Sequence, residues 1–191
     1  MNVLKKSSNG INCLPLESVL LSQRKIYLSG QIDFPLANRI VQQLIYLESE
    51  DNERPVDLII SSPGGEVLAG LLIYDQLRGM KTPVNLCCAG LAASMAAIIL
   101  AGGKKGRRSV LPHSKIMIHQ PLIAGGIGGN ATSIQRTAEL IMETKSITSE
   151  LLARDTGHSV EEVEAAIAFD NYLSAEEAVE FGICDKIVPR L

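Results

Sequence analysis

Between Pro83 and Gly102 the chain reads PVNLCCAGLAASMAAIILAG, and the rest of the protein has to be built around it. Val84 to Cys88 is a short apolar run bounded by Pro83 and Gly90, the pattern of a buried strand. Ala92 to Ala101 follows as a helix of small and aliphatic residues, stopped by Gly102 and Gly103. Ser94 is the one polar side chain between Cys88 and Lys104. In the first turn of a buried helix it would lie beside unpaired backbone N–H groups and the positive end of the helix dipole. Those surroundings suit a serine nucleophile whose attack generates an oxyanion. They also suit a serine that merely caps the helix, and the pattern is not the G-x-S-x-G elbow.

The flanking sequence repeats the strand-then-helix rhythm. Residues 1–23 are weakly patterned, with Ser7-Ser8-Asn9-Gly10 as a loop signal, and read as a flexible tip followed by a short helix. Lys25–Ser29 is a short strand ending at Gly30. Pro35 opens a helix to about Glu50, with Ile40, Val41, Leu44, Ile45 and Leu47 as its apolar stripe. Val56–Ile60 is the next strand, Ser62-Pro63-Gly64-Gly65 the turn after it, and a helix runs from about Glu66 to Leu77. Such β-α-β alternation predicts crossover units around a largely parallel sheet, with ligands at the carboxyl ends of the strands. Gly64-Gly65 and Ser94 therefore fall on one rim. One N–H from Gly65 and one from Met95 would make a two-donor oxyanion hole; the same glycines also fit a tight turn that needs positive φ.

Two more strands, Arg107–Leu111 and Lys115–His119, flank Pro112-His113-Ser114. Of the three histidines, His113 and His158 are expected to be exposed. His119, at a strand end on the same rim, is the candidate general base, with a structural, hydrogen-bonded histidine as the alternative. A glycine-rich segment, Ala124 to Gly129, lacks the feeding strand and the lysine of a nucleotide loop. Asn130 caps a helix to about Asp155, some 35 Å long, which is more than a small core requires and predicts an outward projection against another subunit. Its face carries Ile134, Ala138, Ile141, Thr148 and Leu152. Ser159-x-x-Glu162 and Ser174-x-x-Glu177 are capping boxes. Between them Asp170 stands in an apolar linker, where it needs a partner; it is the candidate to orient His119. Asp155 and Asp185 read as ordinary helix-end and turn residues.

Composition excludes several classes. With 191 residues, 46% of them apolar and 20% charged, the chain suits one globular domain. No apolar run has the roughly 18 residues of a membrane helix. A net charge of −3 with 4% aromatics argues against nucleic acid. The four cysteines show no metal spacing, and no cofactor motif is present. The N-terminus is a poor signal peptide, so reduced thiols and a cytoplasmic location are expected, and the sequon at Asn130 is discounted.

Ser62-Pro63-Gly64-Gly65, Gly90-x-Ala92-Ala93-Ser94-Met95, Met117-Ile118-His119-Gln120-Pro121 and Leu173-Ser174-Ala175-x-Glu177-Ala178 with Gly182 resemble the proteolytic subunit of the ATP-dependent Clp protease. The likeness runs from about Arg24 to Val188 in one register, with a glycine-rich loop longer by about two residues. It implies an α/β fold, a crotonase-like spiral of β-α units with a long "handle" helix at about 123–156. It divides the chain into an N-terminal axial segment, 1–23, and one catalytic domain, 24–191. It implies Ser94 as nucleophile, His119 as base, Asp170 as orienting acid, and the Gly65 and Met95 amides as oxyanion hole. It further implies two stacked heptameric rings and a hexameric AAA+ unfoldase of the ClpX, ClpA or ClpC type that consumes the ATP and delivers unfolded protein.

The chain departs from the family pattern in three places. Asp57, Ile59 and Gly79 occupy the places of the aromatic pocket that grips the ATPase, Ala168 and Phe169 those of a charged pair before the acid, and Cys13 to Ser18 those of a Tyr-Asp-x-Tyr-Ser-Arg run. A divergent paralogue working in a mixed complex with a second subunit type is the resulting expectation. A latent, structural ring subunit and a crotonase-fold acyl-CoA enzyme are the alternatives.

Overall fold

The computed structural model describes residues 1–7, 10–123 and 125–191. The chain opens with an antiparallel hairpin, β1 (Asn2–Ser7) and β2 (Gly10–Pro15), and a short helix, α1 (Leu16–Ser22). The turn signal falls at the hairpin's tip, where Ser8 and Asn9 lie outside the described residues. Every β2 side chain is exposed, so no in–out alternation marked this hairpin in the sequence.

Then follow β3 (Lys25–Ser29), α2 (Phe34–Glu50), β4 (Val56–Ser62), α3 (Val67–Gly79), β5 (Val84–Ala93) and α4 (Met95–Ala101). After them come β6 (Arg108–Val110), β7 (Lys115–Ile118), α5 (Ala131–Thr156), α6 (Val160–Ala166), β8 (Asn171–Leu173), α7 (Ala175–Glu180) and β9 (Lys186–Ile187). Strands β3-β4-β5-β6-β9 lie side by side and parallel. The expectation of an α/β fold with a parallel sheet holds. No helix among the described residues is long and apolar enough to cross a membrane.

Local chemistry explains the helix ends. Asp33 accepts the Leu36 N–H at 2.8 Å and Pro35 sits in the first turn, so α2 starts there. It buries Leu36, Ala37, Ile40, Leu44 and Leu47, whereas Ile45, placed on the stripe by the sequence, is 51% exposed. At its far end the Arg24 guanidinium donates to the carbonyls of Leu47, Asp51, Arg54 and Pro55 at 2.8–3.2 Å. Leu47 lies in the last turn of α2 and Asp51 is its C-cap, where a cation suits the negative end of the dipole, while Arg54 and Pro55 belong to the loop beyond. Asn130 caps α5 through the Ser133 N–H, and Gly157 ends it at φ 94°. Both capping boxes form.

Strand β5 is longer than its apolar run suggested, and it forks. Its first half pairs with β6 through Leu86–Cys88, and its second half with β7 through Leu91–Ala93. The change of partner falls at a bulge: Ile60 pairs with Cys88 and Ser62 with Ala92, so Ser61 alone faces three residues. Gly90 takes φ 96° there, and the Ser114 hydroxyl accepts the Gly90 N–H at 2.8 Å while donating to the Cys88 carbonyl at 3.2 Å. Strand β8 is antiparallel to β7 at the sheet's end.

Two carboxylates are not ordinary. Asp155 is 6% exposed; it accepts the Tyr74 hydroxyl at 2.6 Å and pairs with Arg154, which also bonds the Tyr74 oxygen. Burial and the neighbouring carboxylate push the Tyr74 phenol up to about 12. Asp185 pairs with buried Arg108 at 2.6 Å, and Arg108 also reaches the Ala101 and Asp155 carbonyls. His113 is exposed as expected; His158 is instead half-buried, its ring stacked 4.4 Å from that of Phe181.

Candidate active site

Because β5 continues to Ala93, Ser94 is the N-cap of α4, one residue before the first turn in which the sequence placed it. It adopts φ 54°, ψ −124°, a conformation that side chains bearing a Cβ rarely hold. Its N–H donates to the Met117 carbonyl at 2.8 Å, which fixes the junction against β7. The side chain makes no capping bond to α4, so the capping alternative does not describe it. Instead Ser94 Oγ lies 2.9 Å from His119 Nε2.

His119 follows the last residue of β7, and Asp170 precedes the first of β8. Since Ile118 pairs with Asn171, the antiparallel register sets the two next to each other. His119 Nδ1 is 3.3 Å from Asp170 Oδ1. Gln120 holds the linker in place: its N–H donates to the Ile167 carbonyl and its side-chain amide to the Ala168 carbonyl. With the proton on Nδ1, the ring points an N–H at the carboxylate and leaves Nε2 to accept the serine hydroxyl. The histidine side chain is 14% exposed, but that of Asp170 is 62% exposed. The reading of Asp170 as an acid in an apolar burial is therefore corrected. Its neighbour Phe169 is 86% exposed, so the apolar linker is a surface segment.

The Gly64-Gly65 turn lies directly against the serine junction. A Cβ on Gly64 would stand 2.7 Å from Ser94 Cβ and 3.1 Å from the Met95 nitrogen; one on Gly65 would stand 2.1 Å from the Ile32 carbonyl oxygen. Ile32 bridges the turn, donating to the Gly64 carbonyl and accepting from Glu66, each at 2.8 Å. Among the described residues, the Gly65 and Met95 N–H groups make no hydrogen bond. The tight-turn reading of the glycines is met, with φ 87° at Gly64 and 154° at Gly65.

The sequence did not identify the walls of the narrow cleft beside Ser94 and His119, which are Ile98, Ile118, Thr148, Leu152 and Ile167. The only signal for them was helical spacing, which sets Thr148 and Leu152 one above the other on α5. Asp57 and Ile59 line a different cavity, of about 280 Å³, together with Asn85, Cys87 and Arg107; Gly79 does not. No group of three or more potential metal ligands occurs among the described residues.

A strained serine touching a histidine, the histidine touching a carboxylate, and the unbonded Met95 amide next to the serine make a constellation capable of acyl transfer. The family model described as Clp protease matches residues 8–190. With nearly its whole length matched, this chain belongs to the Clp protease family.

Proposed function

We propose that the protein is a serine endopeptidase, the proteolytic subunit of an ATP-dependent Clp protease. Family membership supports a peptidase; the observation that carries the assignment is the 2.9 Å contact between Ser94 Oγ and His119 Nε2. Ser94 attacks the peptide carbonyl as His119 takes its proton, Asp170 holds the imidazole in the required tautomer, and His119 returns the proton to the leaving amine. Water then releases the acyl-enzyme. The Gly65 and Met95 amides receive the oxyanion, each such donor being worth roughly 3 kcal/mol in the transition state. No cofactor of its own takes part.

The active assembly on this reading is two stacked heptameric rings in the cytoplasm, fed with unfolded protein by an AAA+ unfoldase and mixed with a second subunit type. Support for assembly comes from α5, whose Ile134, Leu140, Met142 and Ile147 are 40–62% exposed in the single chain. A second reading, activity withheld until assembly, is favoured by one observation: the exposed Asp170 carboxylate leaves its contact with His119 open to water. Labelling with a fluorophosphonate, read by intact mass, tests both. One adduct on the wild type and none on Ser94→Ala is the expected result. No adduct on the chain, alone or mixed with candidate partner subunits, would overturn the assignment. An adduct only in the mixture would select the second reading.

A further inference from the structure

We propose that the cavity where α3 and α4 end is a binding site for a multivalent oxyanion of the phosphate type. The cavity measures about 320 Å³ and shares no lining residue with the cleft at Ser94. Arg78, Lys81, Lys104 and Arg107 line it, and no Asp or Glu does. Arg78 approaches Asp155 at 3.8 Å, and Arg107 donates to the Asn85 amide oxygen at 2.7 Å. Lys81 and Lys104 have no acidic partner among the described residues. Four cations from two short segments, 78–81 and 104–107, thus line one space, where an anion joining them would relieve their mutual repulsion.

A second observation points the same way. Thr82, also in the lining, is 3% exposed, and its hydroxyl has no hydrogen-bond partner. Its backbone is firmly held, since Glu48 accepts both the Lys81 and the Thr82 N–H. A buried hydroxyl without a partner is an exception that calls for an explanation; the Thr82 oxygen is closed to solvent, and a rotation of the side chain toward the cavity would let it donate to a ligand oxygen. Three features oppose an anion: the carbonyl ends of α3 and α4 carry partial negative charge, Glu48 stands behind the wall, and Asp155 lies 3.8 Å from Arg78. Against four formal positive charges they leave the cavity positive. Guanidinium forks bind phosphate oxygens, as they do carboxylates, through two parallel bonds, and the Lys81 and Lys104 ammoniums add the point charges that suit a polyanionic phosphate. The ligand chemistry is therefore a short phosphate chain, whether free or carried by a nucleotide.

Calorimetric titration of the whole chain at low salt tests this, with tripolyphosphate, ATP and adenosine as probes. Saturable binding of tripolyphosphate is expected, at least tenfold weaker in Lys81→Gln/Lys104→Gln and several-fold weaker in Thr82→Val. Melting midpoints near the wild-type value in both variants keep folding out of the comparison. Equal binding of tripolyphosphate and ATP, with none of adenosine, supports a site for the phosphate chain alone; tighter binding of ATP supports a nucleotide as its source. Absence of saturable binding by either phosphate ligand, or undiminished binding in the double variant, would overturn the proposal. None of these readouts depends on peptidase activity, so failure here is separable from failure of the assignment at Ser94.

Discussion

Ser94 pays for its position with a backbone conformation that costs a residue bearing a Cβ about 1–3 kcal/mol. Glycine escapes that cost, so Ser94→Gly should be more stable than Ser94→Ala by at least about 1 kcal/mol in urea unfolding. Equal stabilities would show that the junction is not strained. Gly65→Ala, whose Cβ would meet the Ile32 carbonyl, should lose ~10²-fold or more of fluorophosphonate labelling rate, on the proposed reading. Asp185 allows a test by pH. Burial pushes its carboxyl up, but the Arg108 guanidinium and the Arg108 and Gly106 N–H groups outweigh this and hold it below its ordinary 3.8. The folded state thus favours the carboxylate. Its stabilisation is complete above the ordinary value and disappears as pH falls through the lower folded one. Asp185→Asn should cost roughly 3 kcal/mol near neutral pH, because Arg108 stays buried without its partner. In unfolding series against pH, the gap from wild type should narrow below about 3.8. Which single residues mattered was only partly legible. Ser94 stood out because nothing else nearby is polar. Asp155 did not, because its partner Tyr74 is 81 positions away and only the completed fold brings the end of α5 within reach of α3.

Elements were legible where their signals are local. The caps at Asn130, Ser159 and Ser174 need only three or four consecutive residues, and all of them form. The extension of β5 past Gly90 was not legible: a glycine reads as a stop, yet here it makes the bulge through which the strand changes partner. Strand β2 of the N-terminal hairpin carried no alternation, since all of its side chains face water. Adjacency of His119 and Asp170 depends on the register of β7 with β8, which pairs segments some 50 residues apart and leaves no trace in either one. At this scale Arg24 offers a test. It serves four carbonyls around the end of α2, so Arg24→Leu should destabilise the protein by at least about 3 kcal/mol in chemical unfolding. A change under 1 kcal/mol would mean that water replaces the guanidinium without loss.

For the whole molecule, thiol accessibility is a map of the core. Cys13 is exposed; burial pushes the Cys88 thiol up to about 12 and Cys184 higher still, with Cys87 raised less. Alkylation of the native protein should modify Cys13 first and leave Cys88 and Cys184 untouched until the chain unfolds, as peptide mapping would show. The fork in β5 has a larger consequence. The strand that leads into Ser94 is also the one that joins β4, β6 and β7, and from Leu86 to Cys88 it is paired on both sides, with no edge from which to fray. Hydrogen exchange at Leu86 to Cys88 should therefore proceed only through global opening, at the slowest rates in the chain. Heating would then leave Ser94 in place until the molecule melts: loss of labelling at this serine and loss of the fold should share one midpoint, with no earlier, reversible stage of local inactivation.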